Sequence, residues 1–172
     1  MNGELVLQSL IPTLQPWWPT IIVIGEITGF FMIVSGLIKS ASKHDRSTAN
    51  VLWSIVPGLI LVNFLSFMDT LAQSFFSSAS ATGLGYTPPG NDPTSLYIQF
   101  AVYVVMLVGA AGVVQGAILL KRAGEDGRLV GTALTHLVGG VFGVNIVMFA
   151  TTLANSMGPT VAGAVARLMG TH

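Results

Sequence analysis

The sequence predicts an all-α membrane protein: four transmembrane helices forming two tandem, parallel-repeat helical hairpins, with a short interfacial segment at each terminus. Three observations predict it. Only 8% of the 172 residues are charged and 52% are apolar. Soluble domains carry roughly 25% charged residues, so this chain cannot cover a water-facing surface, and its natural solvent is lipid. Four apolar stretches are long enough to cross about 30 Å of hydrocarbon, which takes roughly 20 helical residues. Finally, the second half of the chain repeats the first.

Residues 1–19 read as an N-terminal interfacial segment. Leu5 to Leu14 is too short to span, Pro12, Pro16 and Pro19 interrupt it, and Trp17 and Trp18 suit the headgroup level. The first 20 residues carry no Lys or Arg, so the positive region of a secretory signal is absent. Residues 20–74 form the first hairpin, with spans near Thr20–Ile38 and Val51–Gln73. Residues 75–95 form a loop rich in Gly, Pro and Ser, which marks a surface connection. Residues 96–157 form the second hairpin, with spans near Leu96–Leu120 and Gly131–Asn155, and residues 158–172 are a tail with a short amphipathic helix.

The turns of the hairpins are basic. Lys39, Lys43 and Arg46 lie in the first, and Lys121, Arg122 and Arg128 in the second, whereas the middle loop has no Lys or Arg. The positive-inside rule then sets both basic turns in the cytoplasm and both termini outside. Arg167 in the tail is a mild exception. The six loop cations are also candidates for contact with anionic lipid headgroups, or with the lumen of an assembly.

Shifting the second span by 82 residues onto the fourth gives ten identities in 23 positions, among them Gly58 with Gly140, Asn63 with Asn145, and Thr70-Leu71-Ala72 with Thr152-Leu153-Ala154. The first and third spans match at a shift of 80, where Gly29, Val34, Gly36 and Ile38 meet Gly109, Val114, Gly116 and Ile118. The two copies share one orientation, so the repeat is parallel rather than inverted.

Glycines dominate the candidate assembly residues. Gly25 and Gly29, Gly112 and Gly116, and Gly139 and Gly143 are small-xxx-small pairs; Gly29 and Gly36, like Gly109 and Gly116, lie seven apart on one face, and Gly58 and Gly140 match in the repeat. Such residues let helix backbones approach closely in lipid, within a hairpin or between subunits. Asn63 and Asn145 lie at equivalent mid-span positions and are expected to hydrogen-bond across to another helix. Glu26 is the one acid well inside a span, and an intramembrane carboxyl is a functional candidate by default. Its counterpart in the second copy is Met106, so pairing with a neighbouring helix or subunit is the expectation, with proton coupling the alternative. His136 is isolated, without partners at metal-ligand spacing.

The chemistry of an enzyme is missing from the pattern. There is no nucleophile elbow, P-loop or HExxH motif, and no cysteine. No metal site and no cofactor are expected. Seven Lys and Arg balance seven Asp and Glu, so there is no overall basic field and no sequence-specific nucleic-acid binding. Membrane lipids, with bound phospholipid among them, are the expected non-protein partners.

The run Thr135-His136-Leu137-Val138-Gly139-Gly140, followed by Val144-Asn145, resembles the IcmC/DotE family of Dot/Icm (type IVB) secretion systems, which includes TraQ-like proteins of IncI-type conjugative plasmids. The length, the four spans and the Pro-Trp entry to the first helix agree with it. The resemblance implies a bacterial inner-membrane subunit working with other secretion or conjugation components, and it brings no catalytic residues. Each hairpin also has the plan of type IV pilins: outside termini and a basic cytoplasmic turn. The expected function is therefore structural, a tandem pilin-like subunit that homo-oligomerises into a ring, or is extracted into an extracellular pilus. The alternative is a small proton-coupled transporter using Glu26.

Overall fold

A computed structural model describes residues 3–41, 48–76 and 93–169. Among these residues every element is an α-helix. They run α1 (Gly3–Leu14), α2 (Trp17–Ala41), α3 (Thr48–Val62), α4 (Phe64–Phe76), α5 (Pro93–Arg122), α6 (Leu129–Val144), α7 (Ile146–Met157) and α8 (Pro159–Met169). The described residues are thus all helical, and the apolar helices suit a membrane. Leu5–Ala41 and Thr94–Arg122 are each long and apolar enough to cross one. Counting each bent pair, α3 with α4 and α6 with α7, as one span raises the total to four. The middle loop, Lys43 and Arg46 lie largely or wholly outside the described residues.

Two close-packed pairs organise the bundle: α2 lies against α3, and α5 against α6. Each pair crosses on glycine. A Cβ placed on Gly29 would lie 2.6 Å from the Gly58 carbonyl oxygen, and one on Gly58 would lie 2.8 Å from that of Gly29. In the second pair, a Cβ on Gly109 would lie 2.8 Å from the Gly140 oxygen, and one on Gly140 would lie 2.6 Å from that of Gly109. These pairs correspond at the sequence shifts of 80 and 82. About two turns further on, Gly36 faces Ile55 and Ser54, while Gly116 faces Leu137 and Ala133. The glycine faces therefore pack within the chain, because any side chain there would push two backbones apart.

The expectation of two unbroken helices across Val51–Gln73 and Gly131–Asn155 is corrected. The first bends by 88° between Val62 and Phe64, the second by 87° between Val144 and Ile146. The residue at each break is Asn63 or Asn145. Asn is a weak helix former because its side chain competes for nearby backbone groups. Asn63 Nδ2 donates to the Leu59 carbonyl at 3.2 Å, and Asn145 Nδ2 donates to that of Val141 at 3.0 Å. The backbone of Asn145 leaves the helical region, at φ −102° and ψ 33°.

One core joins the two pairs. Met32, Leu61, Phe64 and Met68 meet Ala110, Val113, Ala117, Leu137, Val141 and Val144. Phe142 bridges α4 and α7, with ring centroids 5.2 Å from Phe75 and 5.1 Å from Phe149. A second cluster forms where α1 lies on α5: Ile11 packs with Val102, Tyr103 and Met106, and Trp18 and Met169 join it. Helix α8 begins after Gly158, whose φ of 114° suits glycine, and it buries no residue. Large apolar side chains such as Phe30, Phe31, Ile38, Val108 and Met157 remain on the outside.

Candidate functional site

The structure collects three of the candidate cations in one place. Lys39 ends α2, while Lys121 and Arg122 end α5, and basic residues suit the negative end of a helix. All three line one crevice with a volume of about 350 Å³, together with Glu125 and Ser54. Away from the helix ends it is lined by Thr28, Met32 and Ile118, with the exposed Phe31 at its edge. Lys121 Nζ donates to Ser35 Oγ at 3.3 Å, tying α5 to α2. Among the described residues none of these cations is ion-paired. The crevice is thus cationic at the end where α2 and α5 terminate, its mouth, and largely apolar further along α2. Arg128 is elsewhere: it is exposed, and its backbone N–H donates to Asp126 Oδ1 at 3.0 Å.

The tight turn between α5 and α6 shapes this mouth. The Glu125 and Asp126 amides both donate to the Arg122 carbonyl, at 2.9 and 3.1 Å. Trp53 of α3 covers Gly124, where an added Cβ would meet the indole side chain at 2.7 Å. Glu125, Ser54 and the apolar wall residues were not singled out from the sequence. Glu125 belongs to the second basic turn, and Ser54 occupies the position matching His136. Those two signals were available. Phe31, Met32 and Ile118 gave none, since they look like any other apolar residues of a span.

The intramembrane polar residues do not form a common site. Glu26 is exposed on α2. Asn63 and Asn145 were expected to reach another helix. Instead both bond within their own helix, and among the described residues neither makes an interhelical hydrogen bond. Asn145 is fully buried and its Oδ1 has no hydrogen-bond partner, whereas Asn63 is exposed. His136 Nδ1 lies 2.8 Å from the Thr132 carbonyl oxygen, and the half-buried ring lines a shallow groove with Gly112, Gly139 and Gly143. No group of three or more His, Cys, Asp or Glu among the described residues is placed to hold a metal ion.

Of the ten candidate glycines, Gly25 packs against Val114, Leu61 and Phe64. Gly112 lies 3.6 Å from Gly140, and Gly143 lies 2.9 Å from Gly109, both measured from an added Cβ. Gly139 differs, with nothing within 4 Å. The glycines thus serve mainly contacts inside the chain. Comparison with family models, curated proteins and solved structures finds no match.

Proposed function

We propose that the chain is a structural membrane subunit of a bacterial type IV (type IVB-like) secretion or conjugative DNA-transfer apparatus. In this reading it is a tandem pilin-like protein of the inner membrane that oligomerises into a ring or pilus. Helices α2, α3, α5 and α6 cross the bilayer, with both termini periplasmic and the basic turns cytoplasmic. Helices α4 and α7 turn along the outer interface. The observation that carries the reading is the duplicated unit: two glycine-crossed hairpins, each ending in a right-angle break at an equivalent Asn. Duplication of a packing unit without a catalytic constellation suits a building block. The exposed apolar exterior supplies surface for lipid and for further copies.

The position of Glu26 weighs against the carrier alternative. A coupling acid works from a cavity that exchanges protons with one side and then the other, whereas Glu26 stands on the outward face of α2. There, contact with a polar group of a second copy is the economical use of a carboxyl in a membrane. Electron microscopy of the natively extracted protein tests the reading. A ring or filament of many identical copies is expected, and a stable monomer or dimer overturns it. If Glu26→Gln assembles normally yet transfer stops, the carrier reading takes its place.

A further inference from the structure

We infer that the crevice between α2 and α5 binds an anionic phospholipid, with its phosphate at Lys39, Lys121 and Arg122. The inference rests on the membrane reading of the chain, though not on its assembly. The two ends of the crevice differ in the way an amphiphile requires. Among the described residues three cations stand at the mouth against one carboxylate, Glu125, a net positive balance. Further along α2 and α5 the lining is Met32 and Ile118, with Phe31 exposed at the edge. From Lys39 down to Thr28 is about 16 Å at helical rise, enough for a phosphate, a glycerol and the upper part of one acyl chain. The volume of about 350 Å³ lies at the lower end of ligand sites, which begin near roughly 300 Å³.

Helix-end cations alone do not explain this arrangement. A Lys at the end of α2 and a Lys-Arg pair at the end of α5 would each complement their own helix while pointing anywhere into water. Here they converge from two helices that are 82 residues apart, counted from Lys39 to Lys121. Lys121 spends one donor on the neutral Ser35 hydroxyl, and among the described residues no carboxylate pairs with any of the three. A phosphodiester supplies the missing negative charge at the depth where the headgroup layer meets a cytoplasmic basic turn. The same phosphate chemistry is offered by soluble phosphate, so the test separates the two sources.

The full chain in a neutral detergent is titrated with dioleoyl phosphatidylglycerol or dioleoyl phosphatidylcholine, and bound lipid is read by native mass spectrometry. Preferential retention of one phosphatidylglycerol is expected. The double variant Lys121→Gln/Arg122→Gln weakens it about 25-fold, taking roughly fivefold for each cation near an anionic headgroup. Lys121→Arg retains binding, and Arg128→Gln, outside the crevice, leaves it unchanged. If the double variant fails to fold, Lys39→Gln at the end of α2 still reports a loss of about fivefold. Equal retention of phosphatidylcholine overturns the inference, as does an equal loss in Arg128→Gln. Displacement of the lipid by millimolar inorganic phosphate overturns the lipid source and leaves a soluble-anion site. Selective lipid retention by a monomer keeps the crevice and removes the subunit reading. A ring that does not distinguish the two lipids does the reverse.

Discussion

The two hairpins share a skeleton and differ in what covers it. Gly29 on Gly58 and Gly109 on Gly140 are the same contact, and both units break at Asn with nearly the same angle. The first half of α5 lies under α1, so Val102, Tyr103 and Met106 are buried. The matching positions on α2 are Ile22, Val23 and Glu26; Val23 and Glu26 are exposed. The second hairpin is accordingly the centre of the bundle and the first its rim. Both have what a hairpin needs in order to close, namely glycine at the crossing. Side chains on the outer faces differ according to what rests on them, so Glu26 and Met106 show two environments of matching positions.

Exchanging those environments gives the largest expected effect. Met106→Glu sets an unpaired carboxyl in a site that is 1% exposed, which costs about 3–5 kcal/mol by analogy with an uncompensated buried charge. Thermal unfolding of the purified chain in detergent reports it. An undisturbed melting temperature would mean that α1 does not cover α5. Next in size are the crossings. Gly29→Ala and Gly140→Ala each place a methyl group against backbone, and both should lose about 1–3 kcal/mol. Gly139→Ala, in open space, should be neutral or gain up to about 1 kcal/mol from helix propensity. Equal losses at all three would mean that propensity and lipid contact, not the crossing, set the role of these glycines.

How far the sequence reached follows from the same contrast. Small-xxx-small spacing and the repeat identified Gly29, Gly58, Gly109 and Gly140, because close approach of two backbones leaves a local mark: no other residue fits. The break at Asn63 and Asn145 was not legible. A polar residue in an apolar stretch signals a need for a hydrogen bond, yet the pattern does not say whether the partner lies on another helix or four residues back. The cations of the crevice were visible as loop charges. Their convergence was not, since it depends on how α2 crosses α5. The seat of α1 on α5 is a long-range contact between ordinary apolar side chains, and it too left no local mark.

The Asn pair offers a sharper test of the comparison. Asn63 is exposed and held by a local bond, whereas Asn145 is buried beside Ile146 and Val147, which pack into the α1–α5 cluster. The chain has no cysteine, so spin labels can be attached cleanly at Leu52→Cys with Leu71→Cys and, in a second protein, at Leu134→Cys with Leu153→Cys. Each bent pair should give about 20 Å, against about 28 Å for a straight helix of the same length. Asn63→Leu should lengthen the first distance toward the straight value. Asn145→Leu should leave the second unchanged and stabilise the chain by about 1–2 kcal/mol, because a buried acceptor without a partner is removed. If both distances lengthen, local side-chain chemistry makes the bend in each hairpin; if neither does, packing holds both.

The smallest effect on the isolated chain is expected at Glu26→Met, which gives the rim hairpin the residue of the central one. Because Glu26 is exposed, its loss should leave the melting temperature of the monomer in detergent where it was. The difference should appear between copies. If a second subunit lays a polar group on this face, the variant assembles poorly while it folds normally, and crosslinking through Val23→Cys falls with it. Should assembly and crosslinking survive the change, the uncovered face of α2 meets lipid rather than protein, and the rim position of the first hairpin carries no contact of its own.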